Sequence, residues 1–366
     1  MREYWFWITN IEGVGRGTID KLLEYYISPF NIYNSSENEL NNVGKKIGIK
    51  EKTLRNIIES KFRMDFVKKI KEIESNGIQV ITVGDDVYPQ KLKNIYKRPY
   101  VLYVKGELPD EYKPGIAIIG ARACDEYGAM IAKTISGTLT KNGFQIISGM
   151  AVGVDKYAHQ GAMNYGKTFG VLGCGVDICY PSTNLNIYNN MCKCGGIISE
   201  YPPGTKPLKH HFPERNRIIS GLSDGILVVQ ARKNSGSLIT VKLGLEQGKN
   251  IYAVPGRVTD ELSCGCNELI KEGAKCVTCI GDIVEDFMIE KKEKENVTLN
   301  LKENVLASAE EIVYANLRLE SKHIEDIKKD TGMELPDIME ALLTLQIKKM
   351  VVQTSANYYA RLLEEL

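Results

Sequence analysis

Ile116-Ala117-Ile118-Ile119-Gly120-Ala121-Arg122 is the stretch whose reading decides the fold. Four apolar residues run straight into a glycine, with no polar residue between them. A short apolar run bounded in this way predicts a strand buried on both faces. The pattern returns at Gln145–Ile147, Phe169–Leu172, Gly196–Ser199, Ile226–Val229 and Asn250–Val254, with helical stretches such as Tyr127–Leu139 between. Strands alternating with helices predict an α/β domain with a doubly wound, mostly parallel sheet. In such sheets ligands bind outside the carboxyl ends of the strands. The loops expected there are Gly120-Ala121-Arg122, Ser148-Gly149-Met150-Ala151 with Gly153, Gly173-Cys174-Gly175, the segment 201–217 and Pro255-Gly256-Arg257. Loops so free of bulk predict a broad, shallow site.

Composition limits what that site binds. The 366 residues are 43% apolar and 25% charged, ordinary for a globular protein, and formal net charge is only +1. Any attraction for a polyanion must therefore be local. The early apolar cluster Tyr4–Ile8 is too short for a leader or anchor, and no run reaches the ~18 apolar residues of a membrane span. Nine cysteines without an export signal read as reduced thiols, and the expected location is the cytoplasm.

Two smaller modules flank the sheet. Residues 1–68 read as helical, with Gly13-Val14-Gly15 leading into an amphipathic run through Ile19, Leu22, Leu23 and Tyr26. The hairpin is either the phosphate-binding turn of a helix-hairpin-helix unit or a plain glycine-rich turn. Asn31–Gly44 is polar and loop-like; Thr53–Ile73 is a second helical stretch with Phe62 on its apolar face. The central domain is placed at 69–290 and a charged linker at 291–304. Residues 305–366 give three helices and a hairpin, the pattern of a winged helix. That module holds seven Lys/Arg against eleven Asp/Glu, and its third helix carries Asp337 and Glu340 with no cation. A DNA-reading helix has the reverse charge, so a protein contact is expected instead.

The charge concentrates between Lys206 and Arg257, where nine cations, Lys249 among them, stand against three carboxylates. Within it, Lys209, Phe212, Arg215, Asn216 and Arg217 read as one loop beside the rim. Guanidinium forks bind phosphate oxygens and an aromatic face accepts a stacked base, so the loop predicts single-stranded nucleic acid. The competing reading tucks Phe212 into the core and braces Arg217 against Asp224. Arg122, ahead of a helix, suits an anion or pairs with a carboxylate.

Other chemistries find less support. Arg122 replaces the second glycine of a dinucleotide fingerprint and Ser148 stands where a ribose-binding acid belongs, which argues against NAD. Asp155 and His159 suggest an acid–base pair, but a helix cap and a packed histidine account for them better. Cys264, Cys266, Cys276 and Cys279 lie close enough in sequence for zinc, yet Cys276 falls in a strand and no histidine is near. No serine elbow, phosphate-loop lysine or metalloprotease motif is present. No catalytic residue, metal or cofactor is therefore expected.

Taken together, the motifs resemble the DprA/Smf family of DNA-processing proteins of natural transformation. The matching pieces are Ala117–Arg122 with Tyr127-Gly128, Ser148–Asp155 with Ala158-His159, Val171–Asp177 with Tyr180-Pro181, and Glu200–Gly204. They continue with Phe212–Leu222, Gly236–Thr240, and Ala253–Gly256 with Asn267 and Gly273-Ala274. The resemblance implies an extended Rossmann-like domain with a SAM-like or helix-hairpin-helix domain before it and a winged helix after it. It implies binding of incoming single-stranded DNA and loading of the RecA recombinase onto strands covered by single-strand-binding protein. It also implies a homodimer. Family DNA contacts match at Arg122, Lys209, Phe212 and Arg215. The expected DNA-binding set is these four with Gly120, Ala121, Ser148, Gly149, Met150, Gly153, Asn216, Arg217 and Lys249. Two positions depart from the family pattern: Ala121 replaces a usual serine and Ser182 a frequent lysine. The alternative function is a Rossmann-like nucleotide phosphoribohydrolase, with Glu200 and Asp177 as its only candidate carboxylates. A third is a transcription factor acting through the winged helix.

Overall fold

The computed structural model describes residues 1–63, 65–287, 308–348 and 350–362; the linker expected at 291–304 lies outside them. The chain opens with α1 (Arg2–Thr9), α2 (Arg16–Tyr26), α3 (Pro29–Asn34), α4 (Glu37–Lys46), α5 (Glu51–Arg63) and α6 (Phe66–Ser75). The stretch 31–44, expected to be a loop, is largely helical. Serines cap its helices: Ser28 Oγ, just ahead of the stretch, accepts from the Asn31 N–H and Ser36 Oγ, within it, from the Glu39 N–H, each 3.2 Å away. The single helix expected at 53–73 is two, because Asp65 caps the second by accepting from the Lys68 N–H. Phe62, expected on the apolar face, is 86% exposed at the end of α5.

The central domain follows as β1 (Gln79–Thr82), α7 (Gln90–Lys93), β2 (Val101–Gly106), β3 (Gly115–Ile119), α8 (Glu126–Lys141), β4 (Gln145–Ser148) and α9 (Val154–Met163). It continues through β5 (Thr168–Val171), α10 (Leu185–Cys194), β6 (Gly195–Ser199), α11 (His211–Leu222) and β7 (Gly225–Val228). It ends with α12 (Ser237–Glu246), β8 (Asn250–Ala253), α13 (Cys264–Lys271), β9 (Lys275–Cys276) and α14 (Gly281–Phe287). Among the described residues these strands form one sheet of order β1-β2-β6-β5-β4-β3-β7-β8-β9. From β6 to β9 every pairing is parallel; β1 and β2 extend it antiparallel. The order reverses between β3 and β7, which puts the topological switch point at the carboxyl ends of that pair.

Alternation along the strands builds two cores. Ile116 and Ile118 face α8, α9 and α14, whereas Ala117 and Ile119 face α7, α11 and α12. All four are at most 4% exposed, as a strand covered on both faces requires. The amino-terminal helices share a third core with β1, β2 and α10. Trp5 stacks on Tyr100 at 5.0 Å, and Asn10 Nδ2 donates to Tyr103 Oη at 3.1 Å.

After the undescribed stretch come α15 (Ser308–Asn316), β10 (Lys322–His323), α16 (Ile324–Thr331), α17 (Leu335–Ile347), β11 (Val351–Ser355) and β12 (Tyr358–Arg361). Three helices and a small antiparallel sheet of order β10-β12-β11 match the winged helix expected from the sequence. Among the described residues no helix is long and apolar enough to cross a membrane.

Candidate nucleic-acid interface

The carboxyl ends of β3, β4, β5 and β6 carry the rim, but its glycine loops are more closed than their composition suggests. After β3, Gly120 lies against Val154 and the Gln230 carbonyl, and the Ala121 N–H donates to that carbonyl at 2.7 Å. The Ala121 carbonyl in turn accepts from the Val154 N–H at 3.2 Å. After β4, Ser148 is buried and its hydroxyl donates to the Ile118 carbonyl at 2.6 Å. Met150 is fully buried in a left-handed conformation at φ 62°, with its carbonyl accepting from Asn184. Asp155 is not the side-chain cap of α9. Its Oδ2 turns back to accept from the Gly149 and Ala151 N–H groups at 3.1 and 3.3 Å. His159 is buried with Nδ1 2.7 Å from Thr168 Oγ1, the packed role expected of it, and burial lowers its pKa to about 3.

Gly153 is where the two loops meet. It sits at φ +80°, and a Cβ there would stand 2.3 Å from the Ala121 carbonyl oxygen and 2.4 Å from that of Arg122. Backbone cannot yield as a side chain tip does, so Gly153→Ala is expected to destabilise the fold by about 2 kcal/mol through strain alone. Chemical denaturation reads this directly; an unchanged midpoint would show that the loops separate freely.

The segment 201–217 is a loop only as far as His210. From His211 the chain is helical, so Phe212, Arg215, Asn216 and Arg217 stand on the first turns of α11. That periodicity separates them. Arg215 points inward, is 4% exposed, and gives Nη1 to the Gly149 carbonyl at 2.7 Å and to the Val171 carbonyl. Its Nε donates to Asn216 Oδ1 at 3.3 Å. Burial lowers the Arg215 pKa, while the Asp155 carboxylate opposes that fall. The guanidinium expected to meet phosphate is thus a tie between the loops after β4 and β5. Arg217 is also committed: Nη1 and Nη2 hold both oxygens of Glu200 at 2.6 and 2.5 Å. The expected brace to Asp224 is replaced by this pair, because Asp224 lies at the far end of α11, accepting from Lys91 and the Gly115 N–H. Lys249 immediately precedes β8 and therefore lies at the amino ends of the parallel strands. The helix-strand topology puts it on the edge opposite the rim, near Asp224 and Lys91, where burial lowers its pKa.

What remains open on the rim is a smaller cluster. The exposed Arg122 places its guanidinium carbon 5.9 Å from the centre of the half-buried Phe212 ring. Tyr180, 47% exposed, packs its ring 5.6 Å from Phe212 at 36°. Lys209 is exposed just before α11. Tyr180 was not singled out for the site by the sequence. The signal for it is Tyr180-Pro181 on a loop after a predicted strand, since an aromatic beside a proline on a rim has no core to fill.

The carboxylates of the alternative enzyme are both engaged. Glu200 is held by Arg217 and lies 3.7 Å from Arg16, and Asp177 accepts from the Gly204 N–H at 2.9 Å. Among the described residues no three His, Cys, Asp or Glu side chains are grouped to hold a metal.

The chain is thus a doubly wound sheet whose rim closes its glycine loops on one another and leaves a guanidinium–aromatic cluster open. Residues 79–288 match the family model described as DNA recombination-mediator protein A. The chain belongs to the DprA/Smf family of DNA-processing proteins, which are involved in natural transformation. It is 41% identical over 232 residues to DNA processing protein DprA of Streptococcus pneumoniae, covering 63% of this chain and 81% of that one. The Bacillus subtilis DprA is 40% identical over 241 residues, 65% of this chain and 81% of the relative. The X-ray structure of the S. pneumoniae protein matches with a TM-score of 0.67 at 36% identity, over 78% of this chain and 97% of that one. A Helicobacter pylori DNA processing protein A structure, whose title concerns its single-stranded-DNA binding mode, matches at TM-score 0.51 and 30% identity. That match covers 57% of this chain and 96% of the other.

Proposed function

We propose that this protein binds single-stranded DNA on the carboxyl rim of its sheet, protects incoming strands and loads a RecA-type recombinase onto them during transformation. The carrying observation is the open cluster of Arg122 over Phe212 with Tyr180 alongside. Arg122 offers a fork to phosphate, the two rings offer faces to bases, and Lys209 adds a mobile charge. The N–H groups of Ala121, Gly149 and Ala151 are already bonded, so side chains make the contact. Ala121 offers no hydroxyl where the family usually has serine, so Arg122 and the rings act without it. Arg215, Ser148, Met150 and Gly153 shape the rim from beneath. Family membership supports the RecA step, the displacement of single-strand-binding protein and a homodimer.

The test is fluorescence anisotropy on an oligothymidylate across a salt series. Affinity should fall steeply with salt despite a net charge of only +1. Lys209→Gln should weaken binding severalfold and reduce the log–log salt slope by about 0.7, the value for one phosphate contact on a single strand. Affinity that is independent of salt, or no greater for single strands than for duplex, would sink the reading. The recombinase step is read separately, as relief of single-strand-binding-protein inhibition of RecA filament growth.

A further inference from the structure

We propose a second nucleic-acid contact on the segment Lys93–Arg98, toward which a strand leaving the rim would run. From Tyr88 to Tyr100 the chain carries Lys91, Lys93, Lys97 and Arg98 and no carboxylate. The segment is anchored rather than loose. Leu92 and Ile95 are buried against Gly221 of α11, where a Cβ would stand only 2.7 Å from Leu92 Cδ2. Tyr88 is fully buried and its hydroxyl donates to the Pro99 carbonyl at 2.6 Å. From that platform Tyr96 projects 77% exposed, with Lys97 Nζ 5.4 Å from its ring centre. Lys97 and Arg98 are exposed and Lys93 half-exposed. Among the described residues, the cation of this stretch that pairs with a carboxylate is Lys91, with Asp224 at 2.7 Å.

Two features separate this patch from an ordinary solvated face. A solubilising surface has no use for an exposed aromatic ring among its cations, whereas a single strand needs both. And Lys97 is held at φ 55°, a conformation that costs a non-glycine residue free energy. Its carbonyl accepts from Arg217 Nε at 2.8 Å. The same Arg217 grips Glu200, from which the chain runs through Tyr201 to Lys209 and the rim. One side chain therefore joins the base of the patch to the loop that presents Lys209 and Phe212. An acidic protein would also meet the cations, but the ring beside them and the continuity with the rim favour nucleic acid.

The patch lies outside the proposed rim site, and the inference that one strand spans both rests on that reading. The variant is Lys93→Gln, Tyr96→Ser and Lys97→Asn combined; asparagine tolerates the left-handed backbone. Oligothymidylates of about 4 and about 16 nucleotides bracket what one binding groove covers. The long strand should bind the variant about tenfold more weakly, with a salt slope reduced by roughly 1.4 for two lost phosphate contacts. The short strand should bind as before. Unchanged affinity and slope for the long strand would overturn the proposal and leave the patch to an acidic protein or to solvent; so would equal losses for both strands. Should the combined variant fold poorly, Tyr96→Ser alone carries the same long-against-short comparison. A failure of the rim reading is distinguishable, because it would show as Arg122→Ala leaving the short strand's affinity unchanged.

Discussion

Arg215→Ala is expected to cost the fold about 3–5 kcal/mol, the range for removing one partner of a buried charge pair. The loss has three physical parts. Asp155 stays buried without the cation that Arg215 supplies. The Gly149 and Val171 carbonyls lose their guanidinium donor. A cavity opens under α11 between the loops after β4 and β5. Urea denaturation measures the effect, and Arg215→Lys should recover only part of it, since an ammonium has no Nε–H for Asn216 Oδ1 and lacks the planar geometry that fixes Nη1 on the two carbonyls. Acid should narrow the deficit. Burial raises the Asp155 pKa above 3.8, with Arg215 the largest opposing influence. Without Arg215 the folded-state value rises further, so in the window above 3.8 the folded variant holds a proton that the unfolded chain has released. Stability of the variant then falls as pH rises through that window, and its deficit against the parent is largest near neutrality. A deficit independent of pH would show that Asp155 does not sense Arg215. A fully stable Arg215→Ala with lost DNA affinity would restore Arg215 to the phosphate-binding role the sequence suggested.

Arg215 also shows where a sequence stops being informative. The parallel sheet was readable because each strand states its own burial: Ile116–Ile119 can only be covered on both faces. The winged helix was readable for a similar reason, since Ile324–Thr331 has its caps and periodicity in place. The stretch from His211 to Arg217 was not, because histidine, proline and asparagine are weak helix formers. Read as a loop, its cations all face solvent. Read as α11, successive residues turn by a fixed angle, so Phe212 stays at the rim while Arg215 and Arg217 go inside. Their partners, Gly149 and Val171 for one and Glu200 and Lys97 for the other, are distant in sequence. No local rule finds such pairs. Lys249 reads from the sequence as part of the basic run Lys206–Arg257, and charge counted along a chain says nothing about which end of a strand a residue occupies. Likewise Ser36 reads as loop polarity and Asp65 as part of one continuous helix, whereas both are helix caps.

The rim cluster makes the larger binding prediction. Arg122→Ala and Phe212→Ala together should weaken an oligothymidylate by about two to three orders of magnitude. Stacking on one aromatic ring accounts for ~1–3 kcal/mol of that, and a charge-assisted contact to phosphate for ~1.5–3 kcal/mol. The two losses should not simply add. With the guanidinium carbon 5.9 Å from the ring centre, each residue also orients the other, and an exposed cation–π contact is worth ~0.5–1 kcal/mol. A double-mutant cycle should therefore give a coupling of that size, the double variant losing less than the sum. The roles are separable by the strand used. On an oligonucleotide of the same length lacking its bases, Phe212→Ala should do little, because nothing is left to stack. Arg122→Ala should still weaken binding and lower the salt slope by about 0.7. Tyr180→Ala should resemble Phe212→Ala in kind, since the two rings lie 5.6 Å apart on one face. Neither Arg122 nor Tyr180 is buried, so their variants should unfold at the parent's midpoint, unlike Arg215→Ala. If Phe212→Ala weakens base-free and ordinary strands equally, the ring supports the loop after β5 rather than a base, and single-strand recognition has to come from elsewhere on the rim.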